Sequence, residues 1–371
     1  MSNVWTRARR NTPQIDCGLC GRPTCSSFAR AYLADQLGLD DCPILRTPDF
    51  ANLRVSLEMM KRDNPLRPHA APPAKSELVL FSPCAEDSSL ISAEARVFNG
   101  VGEGQCVRFG GFDPALLCDL LDATEPILTS VKCSRELGYA RADYDQSNVT
   151  ILQDGRVNLR RLPSRAAAED LFGRIERVVL GATICDCCGC ELLSIVVGEC
   201  EKAGNSHPAL HAGSASHVEY VDGELHDIVV GTLNDQLVST KDIIAKCQQI
   251  ILTACDSLLN GEKASEEPCD IEGIWRVVVR ALAGAERETF PVLLRLAGMV
   301  WFARVACFSL SDLTLRVLVL NQAEQRSVLG FLADALRGKT PARTSLEGSV
   351  EYMMAIADVA GVARAIRLLS T

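Results

Sequence analysis

Asp16-Cys17-Gly18-Leu19-Cys20-Gly21-Arg22-Pro23-Thr24-Cys25, joined by a short helical stretch to Cys42-Pro43, is the segment that organises the rest of the chain. The cysteines are spaced C-x2-C-x4-C-x16-C. Gly18 and Gly21 permit tight turns, which bring backbone amides close to whatever the thiols hold. Thr24 is placed to cap a helix. Phe28, Tyr32, Leu33 and Leu37 then fall on one apolar stripe, and Gly38 is placed to end the helix. Such a helix returns the chain so that Cys42 meets the three earlier thiols.

Three close thiolates and one returning thiolate form the four-cysteine ligand set of a [4Fe–4S] cluster. A tetrahedral zinc site uses the same four ligands, although its cysteines usually come as two C-x2-4-C pairs. Unligated core cysteines are the third reading. The string CGLCGRPTCSSFA followed by CP resembles the small 4Fe–4S domain of the corrinoid iron–sulfur protein large subunit, which also occurs in the B subunit of the Rnf electron-transport complex. The resemblance covers about residues 15–45. It implies cluster ligation by Cys17, Cys20, Cys25 and Cys42 and one-electron transfer at low potential. The stretch VTILQDGRVNLRR and its following helix are similar to uncharacterised proteins of anaerobes that carry this domain. No corrinoid-binding barrel is recognisable, so corrinoid binding is not implied.

The 371-residue chain has 47% hydrophobic and 23% charged residues, an ordinary globular balance that excludes disorder along its whole length. A net charge of −9 argues against a general nucleic-acid binder. The cysteine count is 17, against 5 histidines. Residues 1–10 carry positive charge with no apolar run behind them, unlike a secretory signal. The apolar region 290–320 is interrupted by Arg295, Arg304, Asp312 and Arg316, so no membrane span is expected. A cytoplasmic protein is the expectation. There, clustered thiols are more often metal ligands or redox groups than disulfides.

The expected fold is α/β plus α. A small N-terminal iron–sulfur domain (1–60) is followed by a Pro-rich linker (61–77) and a mixed α/β domain (78–181). A Cys/His-rich segment with a β-hairpin (182–232) leads to an all-helical C-terminal domain (233–371). Within the middle domain, Leu78–Phe81 reads as a strand and Asp113–Leu121 as a helix. Val149–Leu162 reads as a hairpin around Asp154-Gly155. A two-residue turn there puts Leu152, Val157 and Leu159 on one face, and Arg156, Asn158 and Arg160 on the other. Ser164 caps a helix with Ala168, Leu171, Phe172, Ile175, Val178 and Val179 at helical spacing, and Gly181 stops it.

The second cysteine cluster comprises Cys185, Cys187, Cys188, Cys190 and Cys200. Cys185-x2-Cys188-Gly189 has the form of a metal knuckle, and Cys187-x2-Cys190 overlaps it. Two or three of these with Cys200, closed by Cys118 or Cys133, suit a second iron–sulfur cluster or a zinc site. A redox dithiol and small buried residues are the remaining readings. Cys247, Cys255 and Cys307 lie on apolar helical faces and read as core.

Other signals are weaker. A hairpin turning at Asp222-Gly223 would put His217, Glu219 and His226 on one face, which suits either a metal or a solvated face. His207 and His211 read as loop residues. Gly338-Lys339-Thr340 resembles the end of a phosphate loop, but Ala333 stands where glycine is needed, so it reads as a helix terminus. The arginines 156, 160, 161, 165, 174 and 177 are interleaved with acids, which suits a solvated face, a docking surface for an acidic redox partner or, third, a nucleic-acid contact.

Three function classes compete. The first is an iron–sulfur carrier passing electrons to a partner redox or corrinoid enzyme. The second is a reductase or methyl-transfer-associated enzyme fed by the clusters. The third is a metal-stabilised redox-sensing or assembly protein. No nucleophile–base constellation or dinucleotide fingerprint marks a catalytic site, and the small-molecule substrate, if any, is not legible.

Overall fold

The computed structural model describes residues 4–63, 78–81, 90–97, 109–185, 188–199, 225–261, 271–339 and 348–370. The linker residues 64–77, Cys187, Cys200, the Asp222-Gly223 turn, His207, His211, His217 and Glu219 lie outside them. The class is as expected: a short N-terminal segment that carries the four cysteines, a mixed middle and a helical C-terminal region. The chain forms two units, each assembled from three separate segments.

The first unit takes Met1–Arg7, Arg67–Asp222 and Arg276–Arg295. Its centre is a six-stranded antiparallel sheet of β1 (Val79–Phe81), β2 (Ile91–Arg96), β4 (Thr129–Ser134), β5 (Tyr139–Tyr144), β6 (Ser147–Ile151) and β7 (Arg156–Leu162), ordered β1-β2-β7-β6-β5-β4. Alternation builds its inner face from Ala93, Ala95, Ala140, Ala142, Val149, Ile151, Val157 and Leu159, all buried. The helices α4 (Pro114–Asp122), capped by Asp113, and α5 (Arg165–Val179), capped by Ser164, pack on the sheet. Most of the expected stripe of α5 is buried, but Phe172 is only half-buried. Arg177 donates to the carbonyl of Ala283 at 2.9 Å, at the C-terminus of a helix spanning Ile271–Ala283.

The β6–β7 turn differs from the two-residue reading. Leu152 N–H donates to Arg156 at 2.8 Å, so Gln153, Asp154 and Gly155 form a three-residue loop. Gly155 takes φ +88° there, the left-handed position such loops need. The register moves by one residue: Ile151 pairs with Val157, Val149 pairs with Leu159, and Leu152 is half-buried at the rim.

The second unit takes Ala8–Leu66, Gly223–Trp275 and Leu296–Thr371. It holds α2 (Cys25–Leu33), α3 (Ala51–Asp63), α7 (Thr240–Leu259), α10 (Gln322–Ala335) and α11 (Val350–Leu369). The helix α9 (Phe290–Val317) begins in the first unit and continues into the second. A helical pattern from about 233 is corrected in its first turn. Val229–Leu233 and Gln236–Ser239 pair as strands β9 and β10 across Asn234-Asp235, both at positive φ. Asn and Asp tolerate that conformation, which a primed hairpin turn demands.

Length and composition alone would let α9 cross a membrane, but 72% of its most apolar stretch is buried within the protein. Arg304 and Arg316 on this helix are paired, to Glu272 at 2.7 Å and to Asp358 at 2.9 Å. Gly338, at φ +79°, follows α10, so the phosphate-loop look-alike is a helix terminus.

Candidate metal centre

The first candidate site lies in the loop 13–24 and the turn that follows α2. Gly18 and Gly21 both take positive φ, +78° and +79°, and Gly21 N–H closes a turn on Gly18 at 2.9 Å. That turn carries Leu19 and Cys20 at its apex. Thr24 caps α2: its hydroxyl accepts from Ser27 N–H at 3.0 Å, while Thr24 N–H donates to the Ser27 hydroxyl at 3.1 Å. The cap fixes Cys25 as the first residue of α2. Cys25 N–H also donates to the Asp16 carboxylate at 2.6 Å, tying the two ends of the loop together.

The helix ends earlier than the glycine signal suggests. It stops at Leu33, and Asp35 takes the left-handed position at φ +59° while Gln36 N–H returns to Ala31. Lys61 holds Asp35 at 2.5 Å and lies 4.4 Å from the Tyr32 ring centroid. Gly38 serves instead as the start of a 3-10 turn over Leu39–Asp41, with its N–H bound to Asp41 at 2.8 Å. Cys42 follows that turn directly, so the return of the fourth thiol is achieved by a short helix plus a turn.

Cys17, Cys20, Cys25 and Cys42 line one narrow cleft, walled by Ile15, Phe28 and Ile44. Among the described residues, no group of three or more Cys, His, Asp or Glu side chains lies close enough together to hold a metal ion. Burial, then the charge of Cys20, pushes the Cys17 thiol up to about 12, with the Leu19 amide and the Arg364 cation acting in the opposite direction. Burial, then the Asp16 carboxylate, raises Cys25 well above the ordinary thiol range. Bringing several thiolates into this cleft therefore requires a compensating cation, and the all-sulfur donor set suits a soft metal or an iron–sulfur cluster.

Residues 13–44 match the family model described as "Putative Fe-S cluster". The chain carries an iron–sulfur segment. No curated protein and no solved structure matches the chain. The family match spans all four cysteines and the helix between them.

Two buried side chains around this segment were invisible to motif reasoning. Arg22 is 6% exposed and lines the cleft, and Arg364, on α11, is 4% exposed. Arg364 donates to the carbonyl of Pro23 at 2.8 Å and to that of Asp16. The available signal was one charge inside the apolar run Val359-Ala360-Gly361-Val362-Ala363-Arg364-Ala365, since arginine is rarely fully buried without a partner.

The second cysteine segment belongs to the first unit. Cys185 ends strand β8 (Thr183–Cys185), which pairs with β3 (Phe109–Phe112), and Cys188 and Cys190 follow; all three are fully buried. Cys185 N–H donates to the Cys190 carbonyl at 2.9 Å, and Gly189 N–H donates to the Cys185 carbonyl at 2.7 Å. Gly189 takes φ +69°. This is a tight knuckle-like turn. Cys118 and Cys133, considered as closing ligands, are instead joined to each other in a disulfide between α4 and β4, which withdraws both sulfurs from any metal. Cys247 and Cys255 are buried core thiols, pushed up to about 12 by burial, while Cys307 is only half-buried. Of the histidine–glutamate group, His226 is described, and its carbonyl accepts from Thr240 at 2.7 Å.

Proposed function

We propose that this protein is an electron carrier whose [4Fe–4S] cluster is held by Cys17, Cys20, Cys25 and Cys42 and serves a partner redox enzyme. The observation that carries the reading is the convergence of four thiols from one short segment on a single cleft, within residues that match an iron–sulfur family. The triplet-plus-one spacing favours a cluster over the paired spacing of zinc sites. When bound, such a cluster supplies a centre that accepts and returns one electron.

The chain's own residues account for the rest. The glycine turn and the Thr24 cap set the thiol positions. Ile15, Phe28 and Ile44 line the cleft with apolar surface, which limits water at the sulfurs. The resemblance to the corrinoid iron–sulfur and Rnf domains supports a low-potential carrier in a reducing, cytoplasmic setting. The arginines of β7 and α5, interleaved with acids, offer a docking surface to an acidic partner, although Arg165 and Arg174 are each already paired within α5. The 185–200 thiols are proposed as a separate centre, iron–sulfur or zinc, because Gly189 shapes a knuckle-like turn between buried cysteines.

The test is anaerobic purification, iron and sulfide analysis, and EPR after reduction with dithionite, a low-potential one-electron donor. About four irons per chain correspond to one [4Fe–4S] cluster and about eight to two. Reoxidation by one-electron acceptor proteins should slow as salt rises, because exposed charges are screened beyond about 10 Å at 0.1 M. Absence of a reducible signal would overturn the carrier reading. Turnover of a small organic substrate by the chain alone would favour an enzyme.

A further inference from the structure

We propose that Arg364 is a positioning residue for the cysteine loop and places a compensating positive charge beside the bound cluster; this rests on the iron–sulfur reading above. Arg364 lies about 320 residues beyond the segment that matches the iron–sulfur family, on a helix with no sequence link to it. Its side chain nevertheless reaches the loop from behind. One guanidinium nitrogen donates to Pro23 at 2.8 Å and the other to the carbonyl of Asp16. Those two carbonyls bracket the Cys17–Cys20 turn: Asp16 precedes Cys17, and Pro23 stands two residues before Cys25. A planar fork can hold both ends of such a loop at once, which a lysine ammonium cannot do in the same geometry.

Two further contacts define the arrangement. The guanidinium also lies 4.6 Å from the ring centroid of Phe302, on α9. A Cβ on Gly18 would stand 2.6 Å from Arg364 Nη1, so the guanidinium packs against the residue that follows Cys17. Gly18 thus has two reasons to be glycine: its positive φ and the room that Arg364 takes. Asp16 joins the same network through its carboxylate, which accepts from Cys25 N–H at 2.6 Å and approaches Arg9 at 3.5 Å.

The charge has a consequence of its own. The Asp16 and Pro23 carbonyls orient the guanidinium without cancelling its charge. A thiolate-bound cluster gains one negative charge on reduction, so a fixed cation nearby favours the reduced form more than the oxidised form. Arg364 is therefore expected to raise the reduction potential and to hold the loop closed on the cluster.

The experiment compares the full-length chain with Arg364→Gln, Arg364→Lys and, as a control, Arg304→Gln. Arg304 belongs to the same unit but pairs with Glu272 and stacks 5.2 Å from Trp275. Each variant is purified anaerobically, its iron is counted, its midpoint is found by EPR-monitored titration with dithionite, and iron release to a chelator is timed. In Arg364→Gln the reduced-to-oxidised ratio at a fixed poise should fall about tenfold, which is about 59 mV for a one-electron couple. Iron release should be several-fold faster. Arg364→Lys should keep most of the potential but still release iron faster, because charge is retained and the fork is lost. Arg304→Gln should match the wild type in both. If Arg364→Gln does not fold or holds no iron, Arg364→Lys decides: wild-type iron retention in it overturns the proposal. A potential and release rate unchanged in Arg364→Gln also overturn it. A wild-type chain that takes up no iron overturns the iron–sulfur reading itself, and this role with it.

Discussion

The two cysteine-rich segments solve the placement of thiols in different ways. In the first, residues 16–43 spread four cysteines over a loop, a helix and a 3-10 turn, and all four reach one cleft. In the second, Cys185, Cys188 and Cys190 sit within six residues at the end of a strand, each fully buried. A short run can build a knuckle-like backbone but cannot by itself surround a polyatomic group. A helix between ligands can, because it returns the chain at a fixed distance and direction. The difference also shows in the supports. The first segment is braced by Asp16, the Thr24 cap and Arg364, whereas the second leans on the β3–β8 pairing and the buried Glu191, whose carboxylate accepts from Ser194 at 3.3 Å.

The sharpest way to break this comparison is to remove a ligand from the first segment. Cys20→Ala deletes the apex of the Gly18–Gly21 turn without touching the cap or the Asp16 tie. It should abolish one cluster's worth of iron, about four atoms per chain, together with its visible absorbance and EPR signal. Unchanged iron would mean that the cleft is an ordinary cluster of unligated thiols.

The same operation on the second segment should cost less. Cys188→Ser is expected to remove the metal of the second centre while leaving the first centre's EPR signal intact. Because metal binding there would be coupled to local folding, protease sensitivity should rise between residues 185 and 200. A variant that keeps its full metal content and protease resistance would reduce the second segment to a buried turn, and the two regions would differ in function as well as in architecture.

Much of the first site was legible in the sequence, since its elements are local. Thr24, Gly18 and Gly21 act through their own backbone, and spacing alone suggested a shared ligand set. The end of α2 departs from the glycine signal for a local reason too: Asp35 takes the left-handed conformation, so the helix ends before Gly38. The β6–β7 register slipped because Asp-Gly serves two- and three-residue loops alike, and only pairing across the strands decides between them. What the sequence hid was long-range. Nothing in residues 13–44 announces that Arg364 completes their loop, and nothing near Cys118 announces Cys133 as its partner across α4 and β4. Both contacts depend on tertiary packing that no local motif announces.

The smallest effect expected concerns the helix that delivers Arg364. Six residues earlier on α11, Asp358 is 1% exposed and faces Arg316 of α9 at 2.9 Å, with Asp312 as a further acidic neighbour. Burial raises its carboxyl to about 7, and the Arg316 cation only partly offsets that. The unfolded chain would release this proton near pH 4. Between about pH 4 and 7 the folded chain therefore holds a proton that the unfolded chain has lost, so this group's stabilising contribution is full below pH 4 and declines as pH rises to 7. The slope from one such group cannot exceed about 1.4 kcal/mol per pH unit. Asp358→Asn mimics the protonated carboxyl and has no such slope. In metal-free protein, urea unfolding followed by tryptophan fluorescence should show the wild type losing ground to Asp358→Asn from pH 4 to 7 and the difference levelling off above that. A difference that stays flat across the range would mean that the Arg316 pair keeps Asp358 ionised throughout, and that α11 is fixed by a permanent ion pair rather than by a protonated carboxyl.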